Sequence, residues 1–369
     1  MKILIVGVGA SGNKAMMSAI NAGVVKEEDT VLVNSTSKDI PKEYNGKIII
    51  ISPDDHGCGK EIKVARKYAT DSIAADKFTD DKYKEYDSII ICTSTEGGTG
   101  SGATPVIARF FSEYYKRNVH VIAFTGFEDD VRGMANTIEF FKSMTDKLMI
   151  QVIRNSSFMN LAGRNKFKAE QLANEEMAKR IRILSGQDFI ESEQNIDDTD
   201  ILKVSNTAGY MTVEEIKLSK PLVDQDDFNK YIRQMIFNSH SIKSEDPGAA
   251  RIGVIMNINP ESESAIDYSF TNIIETYGKP FEIFTQKQWD GNREYLQLIV
   301  SGMKMPIAEI EDIYKRYQQE TERVNKNADS FYAQSKNMVL EDSDSIFDMI
   351  SEKQPDSVSK EDFLKSLQS

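Results

Sequence analysis

At 369 residues, with 40% apolar and 28% charged residues, the chain has the make-up of a soluble globular protein with room for two domains. No apolar run nears the roughly 18 residues that span a bilayer. Two cysteines without CxxC spacing and three scattered histidines offer no metal site and suit a reducing cytoplasm. A formal charge of −13 argues against direct wrapping of nucleic acid, which needs a basic surface, and leaves open a basic partner or an adaptor that itself holds DNA.

The opening MKILIVGVGA is too short for a signal peptide and reads as a strand over 2–6. It feeds Gly7-Val8-Gly9-Ala10-Ser11-Gly12-Asn13, after which Ala15, Met16, Ala19 and Ile20 mark a helix. This GxGxxG raises a dinucleotide-binding unit, which needs an acidic residue closing the second strand to hold the ribose. The second strand, 30–33, ends instead in Asn34-Ser35-Thr36. A third strand over 47–52 leads into Gly57-Cys58-Gly59 and a helix with Val64, Ala65, Tyr68 and Ala69.

The stretch 88–111, SIIICTSTEGGTGSGATPVIARFF, organises the rest. An isoleucine-rich run over 88–92 reads as a strand buried on both faces. It enters Glu96-Gly97-Gly98-Thr99-Gly100-Ser101-Gly102 and then an apolar helix. Strand, glycine-rich turn and helix present backbone N–H groups to an anion, and Thr99 and Ser101 add hydroxyls. The loop lacks the lysine of a Walker A sequence.

Further on, a strand over 119–124 precedes Phe127-Glu128-Asp129-Asp130-Val131-Arg132, where Glu128 and Arg132 have the i, i+4 spacing that an exposed ion pair on a helix also uses. A strand over 147–153 ends in Arg154-Asn155-Ser156. A helix over 166–185 then carries Ala173, Met177, Ile181 and Leu184 on one face. Residues 194–201, QNIDDTDI, are rich in carboxylates but lack the glycine and closing glutamate of an EF-hand. A second, α+β unit begins near 222, with helices over 226–238 and 262–277 and strands over 251–258, 281–285 and 295–300. Pro306 opens a long polar helix to about 338, with Ile307, Ile310, Ile313, Tyr314 and Tyr317 on one face. The last thirty residues are acidic, with Ile346, Phe347, Met349 and Ile350 suggesting a docking motif within a flexible tail.

Glu96 to Gly102 resembles the glycine-rich signature of the tubulin/FtsZ family at all seven positions, and four more motifs resemble the family's in order. Residues 9–13 match its first phosphate loop, and 57–67 its γ-phosphate loop, with Glu61-Ile62 replacing asparagine-proline. Residues 127–132 match its FEGxxR, and 194–200 its NxDxxD loop. The resemblance covers about 1–305; the long helix after Pro306 is a feature of the plasmid and phage tubulins, the TubZ/PhuZ type.

The resemblance implies an α/β fold: a Rossmann-like parallel-sheet GTPase domain over 1–165, and a core helix with its synergy loop over 166–221. An α+β activation-type domain over 222–305, a long helix over 306–340 and an acidic tail over 341–369 would follow. It implies GTP or GDP with Mg2+ as cofactors. Gly9, Ala10, Ser11, Gly12, Asn13, Gly57, Gly59, Gly97, Gly98, Thr99, Gly100, Ser101 and Gly102 would lie around the phosphates. Glu128 and Arg132 would lie near the ribose, and Asn155, Asn174 and Glu175 would read the base. Asn195, Asp197 and Asp200 would enter the site of the next copy and orient the attacking water, so hydrolysis would require a head-to-tail filament. No metal ligands of the protein, no direct nucleic-acid contact and no membrane contact are implied. The role implied is positioning or segregating plasmid or phage DNA in the cytoplasm through an adaptor; a cell-division filament and a non-polymerising Rossmann enzyme are the alternatives.

Overall fold

A computed structural model describes residues 2–145, 147–190, 198–264, 266–267 and 269–331. The first half alternates buried apolar strands with helices. Its strands are β1 (Ile3–Val8), β2 (Thr30–Asn34), β3 (Lys47–Ile50), β4 (Ser88–Ser94), β5 (Asn118–Thr125) and β6 (Met149–Arg154). The helices between them are α1 (Gly9–Asn21), α2 (Ile62–Ala74), α3 (Gly98–Glu113) and α4 (Val131–Lys142). All six strands run parallel, in the order β3-β2-β1-β4-β5-β6. After β1 the chain winds to one side and after β4 to the other, so the order reverses between these two strands. In a parallel sheet the crevice outside that reversal is where ligands bind.

Beyond this come α5 (Lys166–Leu184), α6 (Asp198–Ser205), β7 (Gly209–Lys217), α7 (Gln225–Phe237) and β8 (Arg251–Asn257). They are followed by α8 (Pro260–Ser264), α9 (Thr271–Tyr277), β9 (Glu282–Gln288), β10 (Tyr295–Met303) and α10 (Ile307–Phe331). The second half does not form a separate sheet. Its strands extend the first as β6-β7-β10-β8-β9, giving ten strands in one sheet. The join is β7, a strand the sequence reading does not name, which pairs in parallel with β6 through Met149–Gly209 and Ile150–Tyr210. The helix expected over 262–277 is two short helices, α8 and α9. The acidic tail and the end of the long helix lie outside the described residues.

Helix α5 starts at Asn165, whose side chain accepts the Lys168 N–H. Ala169, Ala173, Met177 and Ile181 share an apolar cluster with Ala15, Met16 and Ala19 of α1. Two arginines of α5 reach β7: Arg180, fully buried, faces Glu214 at 3.6 Å and Glu176 at 3.0 Å, and Arg182 pairs with Glu215. Burial disfavours the Arg180 charge, but the two carboxylates outweigh it and the guanidinium is held above its usual range. Helix α10 returns to the first half, where Ile313 packs with Met134 and Ile138 of α4, flanked by Val131, Tyr314 and Tyr317. Burying one such isoleucine contributes about 1.5–3 kcal/mol.

Candidate nucleotide site

Two helices begin at the reversal point. Helix α1 starts at Gly9, capped by Val8, and α3 starts at Gly98, capped by Gly97. Neither cap supplies a side-chain acceptor, and neither first turn carries a carboxylate. Both helices therefore end in N–H groups without intrahelical partners, at the positive pole of the helix dipole. The glycine loop expected at 97–102 is thus mostly the first turn of α3, and residues 9–13 are helical from the start.

Close packing requires these glycines. Gly9 has φ +74°, and a Cβ on it would lie 3.0 Å from the Gly100 nitrogen, so the two helix starts touch. A Cβ on Gly12 would meet the Cys92 carbonyl oxygen at 2.1 Å. A Cβ on Gly100 would meet Thr93 Oγ1 at 2.6 Å, so a side chain there drives into β4 rather than into ligand space. Gly98 abuts Lys60, and Gly102 the Ile62 carbonyl.

The hydroxyls divide. Ser101 is buried and donates to the Gly97 carbonyl, which occupies it inside the loop. Thr99, half-buried, shares a 2.8 Å hydrogen bond with Ser35 at the end of β2. Ala10 is half-buried and Ser11 exposed on the first turn of α1. Asn13 is fully buried, and both its amide atoms lack a partner among the described residues. Gly57 and Gly59 lie exposed, with nothing within 4 Å of where their Cβ atoms would stand.

One buried amide that the sequence reading misses ties these segments together. Asn136 Nδ2 donates to the carbonyls of Lys60 and Glu96, each at 3.0 Å. A buried asparagine among Met134, Thr137 and Ile138 on an otherwise apolar helix face is a signal that could have found it. Glu96 acts from the other side: its Oε1 accepts the Glu128 N–H at 2.9 Å, and its side chain lies against Gly126 and Gly133. Burial raises the Glu96 carboxyl pKa, with the Glu128, Asp130 and Asp129 charges adding to the rise.

Glu128 and Arg132 do not pair with each other. Glu128 precedes α4 with φ +58°, off the helix, so the i, i+4 geometry does not arise. Its carboxylate meets Arg316 of α10, while Arg132 meets Glu61 and lies 3.4 Å from the Lys60 carbonyl. Asn155 follows β6 with its Oδ1 buried and unpartnered among the described residues. On α5, Asn174 is half-buried and Glu175 exposed. Asp200 is on α6 rather than in a loop, and accepts from Lys203 at 2.9 Å. Asn195 and Asp197 lie outside the described residues. Among the described residues no cluster of histidine, cysteine and carboxylate side chains could hold a metal ion, and no helix is long and apolar enough to cross a membrane.

Comparison with known proteins agrees with this geometry. The chain is 25% identical over 213 residues to the cell division protein FtsZ of Mycoplasmopsis pulmonis, covering 56% of this chain and 53% of that protein. It therefore spans about half the length of that relative. Its fold is similar to the crystal structure of TubZ from Clostridium botulinum phage c-st, with a TM-score of 0.69 and 16% identity over 88% of this chain and 99% of the other. A GTPγS-bound protofilament of CetZ2 from Haloferax volcanii gives 0.71, with 17% identity over 87% and 100%. Residues 2–163 match the model of the Tubulin/FtsZ family GTPase domain, which covers both helix starts, the Asn136 brace and Asn155. Over residues 2–163, then, the chain is similar to the GTPase domain of the Tubulin/FtsZ family.

Proposed function

We propose that this protein hydrolyses GTP to GDP and phosphate, and polymerises head to tail into a cytoskeletal filament. The observation that carries the reading is the meeting of two helix N-termini without side-chain caps, Gly9 against Gly100, at the switch point of a parallel sheet. Backbone N–H groups converging there suit the phosphates of a nucleotide. The unmatched Oδ1 of Asn155 suits a ligand that donates hydrogen bonds, and guanine does so through N1–H and its 2-amino group. Mg2+ bound together with the nucleotide would supply positive charge beside the phosphates that Gly9–Asn13 and Gly97–Gly102 would hold.

The residues of this chain divide the work. Gly9–Asn13 and Gly97–Gly102 hold and orient the phosphates, and Asn155, Asn174 and Glu175 read the base. Asn195, Asp197 and Asp200 act on the nucleotide of the neighbouring copy, where a carboxylate orients water for in-line attack on the γ-phosphorus as the bond to the bridging oxygen breaks. Catalysis then needs a longitudinal contact. That proteins of this fold form protofilaments supports the reading, as the GTPγS-bound CetZ2 assembly does. The long α10 favours plasmid or phage DNA segregation in the cytoplasm through a basic adaptor, which the −13 charge suits. The FtsZ relative keeps cell division as the second reading.

Light scattering and phosphate release, followed together as protein concentration rises in GTP and Mg2+, test this. Both are expected to turn on at one critical concentration; turnover linear in protein without scattering would sink the filament reading. Asp200→Ala is expected to bind GTP normally and to turn it over at least tenfold more slowly.

A further inference from the structure

The C-terminal helix α10 grips the rim of the nucleotide site at two points. Arg316 pairs with Glu128 in the loop after β5, and Glu309 pairs with Arg154 at the end of β6 at 2.6 Å. Seven residues apart, the two side chains share one face of α10, two turns from each other. Between them Ile313 packs on Met134 and Ile138 of α4. Exposed ion pairs alone contribute little to stability. Here the apolar seam supplies the attachment, and the pairs fix which loop residues the helix meets.

Both loop residues are joined to the nucleotide pocket. The Glu128 N–H is held by Glu96, the residue that opens the phosphate loop, at 2.9 Å. The Glu128 Oε2 faces Arg316. Arg154 is followed directly by Asn155, whose Oδ1 is buried without a partner among the described residues. Burial raises the Glu128 carboxyl pKa, and Arg316 counters the rise, so Arg316 helps to keep Glu128 a carboxylate.

We propose that α10 is part of the nucleotide site: Arg316 positions Glu128 and Glu309 positions Arg154, so nucleotide binding and α10 docking strengthen each other. This rests on the reading of the pocket as a guanine-nucleotide site. Linkage makes the coupling reciprocal, since whatever docked α10 adds to nucleotide affinity, nucleotide adds to α10 docking.

The test uses the full-length chain with GDP and Mg2+, which keeps polymerisation out of the measurement. Titration calorimetry is expected to show Arg316→Ala and Glu309→Gln each weakening GDP binding by about fivefold or more. Arg316→Lys should restore most of the affinity, and Arg323→Ala, further along the same helix, should leave it unchanged. Saturating GDP is expected to slow amide exchange across α10 in the wild type and much less in Arg316→Ala. Unchanged or tighter GDP binding in Arg316→Ala, with GDP-independent exchange in α10, would overturn the coupling alone. Wild-type protein that binds no guanine nucleotide would overturn the site reading as well.

Discussion

At the scale of single residues, the glycines of the two touching helix starts were legible and their supports were not. Glycines at 9, 12, 98, 100 and 102 stand out in a sequence because few residue types tolerate such contacts. What the spacing cannot say is which way each missing Cβ would point. A Cβ on Gly12 would stand 2.1 Å from the Cys92 carbonyl oxygen, so Gly12→Ala must push α1 off β4. Overpacking of this kind costs about 1–3 kcal/mol or more, and urea denaturation is expected to show at least that loss together with lost nucleotide binding. His120 shows a different cost of burial. It is 2% exposed, bonds to Asn206 at 3.0 Å through Nε2, and has its pKa pushed down to about 4 by desolvation. Its folded value lies below its unfolded value of about 6.5, so the unfolded chain takes up the proton first. Stability is then unaffected above about pH 6.5 and falls as pH drops toward 4, by about 3 kcal/mol in all. Denaturation midpoints between pH 7 and 4.5 measure this, and His120→Gln should flatten that part of the profile.

At the scale of elements, β1 to β6 follow from buried isoleucine and valine runs, whereas β7 escapes the same reading. Its sequence, GYMTVEEIK, contains two adjacent glutamates, and nothing local tells a reader that both are matched. Their partners are Arg180 and Arg182 on α5, more than thirty positions away, and so the strand becomes intelligible only in three dimensions. The Arg180 cluster predicts a large mutational effect. Arg180→Ala would leave buried Glu214 without its cation and Glu176 with Lys179 alone, and removing one partner of such a buried set costs about 3–5 kcal/mol. Denaturant titration of that variant is the check; a loss below about 1 kcal/mol would mean that water or a neighbouring lysine replaces the guanidinium. The exposed Glu128–Arg132 ion pair, the alternative reading of that spacing, does not form for a related reason. The spacing assumed a helix, and the chain instead turns through positive φ at Glu128 before α4 begins, which sends the two side chains to different partners.

At the scale of the molecule, composition and motif order led to the α/β class, while the division into a nucleotide half and an α+β half concealed one continuous sheet. Ten strands hydrogen-bonded edge to edge through β6 and β7, with α5 stitched to β7, leave no plane along which the halves part freely. The expected consequence is a single unfolding transition. Trp289, the one tryptophan, follows β9 in the second half and reports on that half by fluorescence, whereas far-ultraviolet circular dichroism reports on all helices and strands. The two curves in urea should coincide. A tryptophan transition clearly ahead of the dichroism would show that the second half unfolds by itself.

The return of α10 to α4 also has a consequence for how the protein is made. Glu128 and Arg154 emerge from the ribosome long before Arg316 and Glu309, by some 10–40 s at about 5–20 residues per second. During that interval the strands that build the phosphate cradle are already available, while Met134 and Ile138 await the helix that covers them. A chain cut short before Pro306 is therefore no inert fragment. It would leave synthesis with an uncovered apolar seam on α4 and with Glu128 and Arg154 lacking their partners on α10.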